Sequence, residues 1–333
     1  MNPHENTQPQ SNLSQDVLNH TAELNQRITS LENSLSELSA YRLSTVNPSL
    51  PLAEPIGYPE GFSTSTPKHT HYCDFKEKPN YTNYAIQDKY PIPALEDREY
   101  YFPDQDYDYW ISGLTDYLRI KERLEEEGFV YADDAVAFDF GCSSGRVLRH
   151  FASYNEKVRL IAADLNANHV NWVNRYLPQF ITCFQCINLP ALPLPDATFD
   201  LVYAFSVFTH IDELESAWLL ELNRIMKPGA YAWLSIQSDD TWKQIGNEEH
   251  FMFQHLKYNE PHMQGVVISE DLFSRGMPQD RYIFRFNNGV VYNTCVFHKK
   301  EYIEKSWGKI FDVLDIITRG HDWQDVVLLR KRG

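Results

Sequence analysis

The stretch that decides the fold reads Ala137-Phe-Asp-Phe-Gly-Cys-Ser-Ser-Gly-Arg-Val-Leu-Arg-His-Phe151. It opens with apolar residues that suit a buried strand, turns through small residues, and resumes with apolar residues at helical spacing. A strand, a small-residue turn and a helix in this order bring backbone N–H groups and a helix N-terminus close to a ligand. Asp139 places an anion at the end of the strand. The stretch therefore favours a ligand with a cationic part over a simple phosphate.

Strands and helices alternate along the chain around this stretch. The pattern predicts strands at 136–140, 158–163, 181–187, 199–204 and 230–236, and helices at 109–128, 146–154, 168–176 and 212–226. Asp212 and Glu215 have the spacing of a capping box for the last of these helices. A hairpin is predicted at 282–286 and 290–296, and two final strands at 311–317 and 325–329. Such alternation is typical of an α/β fold with a doubly wound, Rossmann-like sheet.

The segment Asp139-Phe-Gly-Cys-Ser-Ser-Gly145 resembles motif I of the class I S-adenosylmethionine (SAM)-dependent methyltransferases, which reads acid-x-Gly-x-Gly-x-Gly. Ser143 stands where the family has its middle glycine. Three later runs, at 192–202, 222–229 and 323–330, are also similar to segments of this family, the last of them to bacterial members. The resemblance covers roughly residues 109–333. It implies a seven-stranded sheet whose last strand is antiparallel.

The resemblance also implies roles for residues at four strand ends. The turn after the first strand would hold the methionine part of SAM, and Asp164 the ribose. Residues after the third strand would hold the adenine, and those after the fourth the sulfonium side. The cofactor-binding residues so implied are Asp139, Gly141, Cys142, Ser143, Gly145, Asp164, Leu165, Asn188, Leu189, Phe205 and Ser206. The chemistry agrees, because a carboxylate has two acceptor oxygens for two ribose hydroxyls and an Asn amide can pair with an adenine edge.

The methyl acceptor is expected to be a small molecule or a glycan, with a hydroxyl as the accepting group. A hydroxyl needs a base near its proton. His210, which follows the fourth strand, is the candidate base, although a histidine just before a helix also serves as a cap or a packing residue. His298 and His321 are weaker candidates. An insertion at about 238–280 interrupts the alternation and would cover the strand ends.

Two other functions compete with this interpretation. A nicotinamide dehydrogenase would also use Asp164, but Ser143 and Arg146 occupy the second and third glycine positions of its Gly-x-Gly-x-x-Gly fingerprint. A non-catalytic methyltransferase-like domain that binds SAM or a partner is the stronger alternative. Such a scaffold would be assembled through the N-terminal segment of the chain.

Composition limits the partners. The formal net charge is −16 over 333 residues, and affinity for nucleic acid comes from Lys and Arg side chains that neutralise phosphates, so no nucleic-acid partner is expected. No run approaches the ~18–20 apolar residues of a membrane span. Five scattered cysteines and a polar start without a signal peptide favour the cytoplasm. His69 and His71 have no second cluster at zinc spacing, so no metal is expected.

The sequence predicts four regions. They are a disordered tail at 1–12, a helix at 13–42, a Pro/Tyr-rich linker or cap at 43–108, and the methyltransferase domain at 109–333. Seven residues from Val17 to Leu38, all apolar except Thr21, follow one another at alternating spacings of four and three. This heptad pattern is typical of a coiled coil and favours a homo-oligomer through residues 17–38, with a helix docked on the domain as the alternative.

Overall fold

The structure is a computed structural model that describes residues 52–62, 75, 79–98, 101–103, 105–155, 157–263, 265–286 and 294–333. The predicted tail at 1–12 and the predicted helix at 13–42 lie outside these residues, so self-association through 17–38 stays a prediction. Within the described ranges, no helix has both the length and the apolar character that a membrane crossing requires.

A mixed sheet forms the centre of the molecule. The described residues contribute nine strands to it. The strands are β1 (Val136–Phe140), β2 (Arg159–Asp164), β3 (Thr182–Gln185), β4 (Phe199–Ala204), β5 (Met226–Ser238), β6 (Arg281–Arg285), β7 (Thr294–His298), β8 (Asp312–His321) and β9 (Gln324–Arg330). Without the β6–β7 hairpin, their order is β3-β2-β1-β4-β5-β9-β8, in which β9 runs antiparallel to both neighbours. The predicted Rossmann-like sheet with an antiparallel last strand is confirmed.

Helices cover both faces of this sheet. The described α-helices are α1 (Tyr81–Gln87), α2 (Asp106–Glu126), α3 (Leu148–Tyr154), α4 (Ala167–Tyr176), α5 (Glu215–Ile225), α6 (Asp239–Gln244), α7 (Phe251–Asn259), α8 (Glu270–Ser274) and α9 (Lys300–Ser306). Trp110, Phe151 and Trp172 bring α2, α3 and α4 into one buried apolar cluster with the sheet. Leu222 and Ile303 bring α5 and α9 into a second cluster on the opposite face. Because both faces are covered, the central strands read as nearly continuous apolar runs.

The predicted insertion is a folded unit with its own core. Helices α6, α7 and α8 and the β6–β7 hairpin bury an aromatic cluster that includes Trp242, Phe273 and Phe284. The hairpin joins the main sheet because Gln237 and Ser238, at the end of β5, pair in parallel with β7. The insertion therefore continues the sheet beyond the carboxyl end of β5. The predicted hairpin is confirmed with shifted strands, and its turn lies outside the described residues.

The predicted capping box at the start of α5 is wrong. The helix begins at Glu215, and no side chain caps it. Glu215 is 2% exposed and accepts hydrogen bonds from His298 Nε2 at 2.5 Å, Tyr302 Oη at 2.9 Å and Trp307 Nε1 at 3.0 Å. It also lies 3.1 Å from Nε of Arg281. These partners come from the insertion hairpin and from the segment after it, so tertiary contacts use the carboxylate that local spacing assigned to a cap.

The segment before α2 packs on the domain through a buried ion pair. Asp88 and Arg149 are both 1% exposed, and Arg149 Nε lies 2.7 Å from Asp88 Oδ2. Asp88 also accepts from Trp110 Nε1 at 2.9 Å, while Arg149 donates to the carbonyls of Tyr90 and Pro91. Burial alone would raise the pKa of Asp88, but the Arg149 guanidinium holds it below its usual value. This part of the predicted linker or cap therefore packs on the folded unit.

Asp88→Ala should destabilise the protein by about 3–5 kcal/mol, because it leaves the Arg149 charge buried and unpaired. Equilibrium unfolding in urea would measure the loss. Asp133→Ala is the matched control, since Asp133 pairs with Lys157 at the surface, with side chains 90% and 66% exposed. That control should cost less than about 1 kcal/mol. Equal losses in the two variants would contradict the assignment.

Candidate functional site

The turn after β1 has a left-handed backbone. Gly141 and Gly145 each have a φ of +79°, and Ser143 has a φ of +48°. The N–H of Gly141 donates to the carbonyl of Ala163 at 2.8 Å, and the N–H of Ser143 donates to Oδ2 of Asp164 at 2.7 Å. Both acceptors belong to β2, which lies beside β1 in parallel register. The second strand therefore fixes the shape of the turn that follows the first.

Space as well as backbone conformation requires glycine at both ends of this turn. A Cβ at Gly141 would lie 2.4 Å from Cγ2 of Val207, and one at Gly145 would lie 2.5 Å from Cδ1 of Leu177. Ser143 keeps a side chain in the left-handed region, which costs on the order of 1–3 kcal/mol. A glycine at this position would adopt the same backbone conformation freely. The serine that stands in place of the family's middle glycine is therefore compatible with this turn.

Cys142 contributes its backbone to the turn and its side chain to the core. The residue is 4% exposed, and its Sγ lies 3.8 Å from Sγ of Cys183 on β3. The hydrogen bond with Cys183 and burial raise the pKa of the Cys142 thiol, so the thiol stays protonated. A ligand above the turn would meet the main chain of Cys142 and not its sulfur.

Asp139 is a buried acid beneath the turn. It is 3% exposed, and burial raises its pKa to about 8, although the Tyr203 hydroxyl and the Arg146 guanidinium each pull it down. At neutral pH the protonated form therefore predominates. A positive charge brought close by a ligand would favour the ionised form.

Asp164 organises the edge of the sheet between β1 and β2. It is 5% exposed, and each of its oxygens accepts a backbone hydrogen bond, Oδ2 from Ser143 and Oδ1 from Asn166 at 2.8 Å. His169 Nδ1 lies 3.3 Å from Oδ1. A carboxylate oxygen has two acceptor sites, so ribose hydroxyls would use the remaining lone pairs. In this structure the main task of Asp164 is to hold the turn.

The end of β3 presents apolar side chains to solvent. Ile187 and Leu189 are 58% and 53% exposed, and Asn188 between them is also exposed. This segment lies beside Asp164, because the last residue of β3 pairs in register with Asp164. Leu165, also predicted for the cofactor, is half-buried at the same edge. Exposed apolar side chains beside polar acceptors suit the flat face and polar rim of a purine.

The end of β4 closes the site on the opposite side. Phe205 and Ser206 are half-buried, and Ser206 has a φ of +58°. The N–H of Ser206 donates to Oγ of Ser235 at 2.7 Å, and Nε2 of Gln324 donates to Oγ of Ser206 at 3.0 Å. Ser235 and Gln324 were not predicted, because their meeting depends on the antiparallel register of β9 on β5.

His210, the predicted base, is fastened to the insertion hairpin. Its Nδ1 lies 2.7 Å from the carbonyl of Thr294, and Oγ1 of Thr294 donates to the carbonyl of His210 at 2.6 Å. A carbonyl only accepts, so Nδ1 carries the hydrogen. Burial lowers the pKa of His210, which keeps the ring neutral. Its role as a base stays a prediction.

Sequence reasoning missed a cluster that we call the edge triad: Asp116, Arg146 and His321. Asp116 on α2 is 3% exposed, and its carboxylate lies 2.7 Å from Nη1 of Arg146 and 3.0 Å from Nδ1 of His321. Asp116 and His321 are 205 positions apart. No local signal linked them, and Arg146 was noticed only as a departure from the dinucleotide fingerprint.

The segment that contains this turn matches a known family. Residues 138–234 match a family model described as a methyltransferase domain. Over these residues the chain is similar to a methyltransferase domain. The match begins within β1 and ends within β5, so it covers the turn and the ends of β2, β3 and β4. The match supports the predicted family and favours it over the dehydrogenase alternative.

Solved methyltransferase structures resemble this domain at low identity. The 1,6-didemethyltoxoflavin-N1-methyltransferase of Burkholderia thailandensis, with 1,6-didemethyltoxoflavin and S-adenosylhomocysteine bound, is 13% identical, with 69% of this chain and 84% of that chain covered and a TM-score of 0.43. A SAM-dependent methyltransferase of Clostridium acetobutylicum is 15% identical, with coverages of 68% and 92% and a TM-score of 0.43. One from Methanosarcina mazei is 17% identical, with coverages of 62% and 97% and a TM-score of 0.40.

Gly141→Ala should destabilise the protein more than Gly229→Ala does, by about 1–3 kcal/mol, because only the first substitution adds overpacking to the strain of a positive φ. Gly229 has a φ of +80°, and a Cβ added there would meet nothing within 4 Å, so this position isolates the backbone cost. Urea unfolding measures both. The double variant Gly141→Ala/Val207→Ala should recover part of the difference, and equal costs for the two single variants would refute the collision.

Proposed function

We propose that this protein transfers the methyl group of SAM to a hydroxyl group of a small molecule or glycan. The observation that carries the proposal is the left-handed Gly141–Gly145 turn, placed at the carboxyl end of β1 over the buried Asp139 and fastened to Asp164. In an open α/β sheet, ligands bind outside the carboxyl ends of the strands, next to such a turn. The family match covers all of these residues.

The residues at this edge fit the parts of SAM in turn. Asp139 lies where a cationic amino-acid portion would favour its ionised form, and the turn leaves no room for side chains above Gly141. Asp164 has acceptor capacity for a ribose, and the exposed Ile187 and Leu189 offer apolar contact to an adenine. When bound, SAM supplies a methyl group on a sulfonium centre together with its own leaving group.

The chain itself supplies position and a protected site. Methyl transfer is an in-line displacement, so the protein gains most from holding the two reactants in contact and aligned. Hydrogen bonds to Ser235 and Gln324 fix Ser206, which makes the wall at the end of β4 rigid. The folded insertion continues the sheet beyond β5 and stands beside this wall. Both features support a shielded reaction at the predicted sulfonium side.

The acceptor class rests on chemistry and charge. A neutral hydroxyl becomes an effective nucleophile when a base takes its proton, and His210 and His321 both lie at the carboxyl edge of the sheet. The formal net charge of −16 disfavours the polyanionic backbone of a nucleic acid as acceptor. A small molecule or a glycan hydroxyl fits both features.

A non-catalytic SAM-binding domain is the second candidate, and one observation favours it. Both oxygens of Asp164 already accept from the chain, and Val207 packs against the position above Gly141. A site whose groups are already in contact with the chain in this way could bind SAM in a structural role, without catalysing methyl transfer. Binding of SAM without turnover on any acceptor would support this candidate.

Binding of SAM should release a proton from Asp139. Its pKa of about 8 means that the free protein holds this proton at pH 7, and a bound cation favours the ionised form. SAM affinity should therefore rise between pH 6 and pH 8. Isothermal titration calorimetry at pH 7 in phosphate and in Tris would count the protons released by the wild type and by Asp139→Asn. The ammonium group of SAM affects both proteins alike, so equal counts would contradict the role of Asp139.

The wild-type protein should transfer a labelled methyl group from SAM to a hydroxyl compound and form S-adenosylhomocysteine in equal amount. The test incubates the full chain with methyl-labelled SAM and, separately, catechol, phenol or methyl α-glucoside, with a detected methyl ether as the readout. Tight SAM binding with no labelled product from any of these acceptors would favour the non-catalytic SAM-binding domain over the enzyme.

Asp164→Ala should weaken SAM binding by about 1–3 kcal/mol.

A further inference from the structure

The edge triad contains a histidine held by a buried carboxylate. Nδ1 of His321 lies 3.0 Å from both oxygens of Asp116. A carboxylate only accepts hydrogen bonds, so Nδ1 carries the hydrogen and Nε2 is the basic nitrogen. The negative charge of Asp116 also stabilises the imidazolium that forms when Nε2 takes a proton. This is the arrangement of a general base with its orienting group.

The position of His321 places it at the ligand edge of the sheet. It ends β8, and β9 begins at Gln324, which forms hydrogen bonds with Ser235 in β5 and with Ser206 just after β4. The ring of His321 lies 4.7 Å from the ring of Phe205, centroid to centroid. Phe205 is the residue predicted to face the sulfonium side. The tip of the β8–β9 hairpin therefore brings a base beside the predicted methyl group.

Accessibility separates His321 from His298. The side chain of His321 is 15% exposed, whereas its partner Asp116 is 3% exposed. His298 also has a carboxylate partner, Glu215, but it is fully buried, and Glu215 is shared with Arg281 and two aromatic donors. That network fastens the insertion to the domain. A ligand can reach His321 and cannot reach His298.

His210 is oriented by a different kind of group. Its Nδ1 partner is the neutral carbonyl of Thr294, which orients the ring but stabilises a positive charge less than a carboxylate does. The charged groups that face or flank His321 are Asp116 and Arg119 from α2, Arg146 from the turn after β1, and Arg319 and Asp322 at its own hairpin tip. Asp116 is the nearest of them and is shared with Arg146.

We propose that His321, oriented by Asp116, is the general base for the acceptor hydroxyl, and that the acceptor binds between α2 and the β8–β9 tip against Phe205. This inference rests on the proposed methyl transfer. The acceptor oxygen forms its bond to the methyl carbon as its proton moves to Nε2 of His321. The carbon–sulfur bond breaks with its electron pair left on sulfur, which yields S-adenosylhomocysteine, and the proton later passes to water. Asp116 acts as a positioning residue.

Kinetics with the full chain test the catalytic role. With labelled SAM and the hydroxyl acceptor that the wild type methylates, His321→Asn should lower kcat at least ~100-fold. The Kd for SAM, measured by calorimetry, should stay within about twofold, since the asparagine can still donate to Asp116. His262→Asn, on an exposed residue of the insertion, is the matched control and should leave kcat unchanged. A large loss in His210→Asn with kcat retained in His321→Asn would overturn the proposal.

The pH profile tests the positioning role of Asp116. A general base must be unprotonated to take the acceptor's proton, so kcat/KM in the wild type should have an acidic limb. Asp116→Asn removes the negative charge beside the proposed base, so this limb should move to lower pH while kcat also falls. A packing role alone would lower kcat without moving the limb, and an unmoved limb in a folded variant would overturn the pairing.

The tautomer of His321 gives a readout that needs no acceptor. With ¹⁵N-labelled histidine and S-adenosylhomocysteine bound, the signal lost in His321→Asn should report hydrogen on Nδ1 and a bare Nε2 in the neutral ring. Hydrogen on Nε2 would overturn the proposal. If the wild type binds SAM and methylates none of the three acceptors, the proposed hydroxyl acceptor fails, and the tautomer still decides the orientation of His321.

Discussion

The hydrogen bond from the Ser143 N–H to the Asp164 carboxylate is the contact on which the site depends. It joins the turn after β1 to the end of β2, and the carbonyl of Ala163 adds a second link to the same turn. Two neighbouring parallel strands therefore determine the left-handed path of Gly141–Gly145. The carboxylate that fixes the turn is also the predicted acceptor for the ribose hydroxyls. The predicted contacts to the methionine part and to the ribose of SAM therefore both depend on this one hydrogen bond.

The opposite wall of the site depends on the antiparallel last strand. Its register on β5 brings Gln324 to Ser235 and Ser206, and its hairpin with β8 brings His321 to Asp116. The C-terminal end of the chain thus completes an edge that the family match at 138–234 only begins. The proposed base therefore lies outside the matched segment, while the predicted cofactor residues lie within it.

The sequence predicted what local patterns control. The strand, turn and helix from Ala137 to Phe151 and the alternation of strands and helices follow from apolar periodicity. The antiparallel last strand was implied by the resemblance to the methyltransferase family. What it could not predict are contacts made at a distance. Glu215 has the spacing of a cap, but the carboxylate binds His298 and other distant donors. No residue near Asp116 in the sequence indicates its partner. His321 is 205 positions away and contacts Asp116 only in the folded protein.

A crystal structure of the protein with S-adenosylhomocysteine would decide whether the turn and Asp164 form the cofactor site. We predict the homocysteine part above the Gly141–Gly145 turn, the ribose hydroxyls on Asp164, the adenine against Leu189, and the sulfur facing Phe205. A ligand bound elsewhere, or one that leaves Asp164 in contact with Ser143 and Asn166 alone, would contradict this assignment.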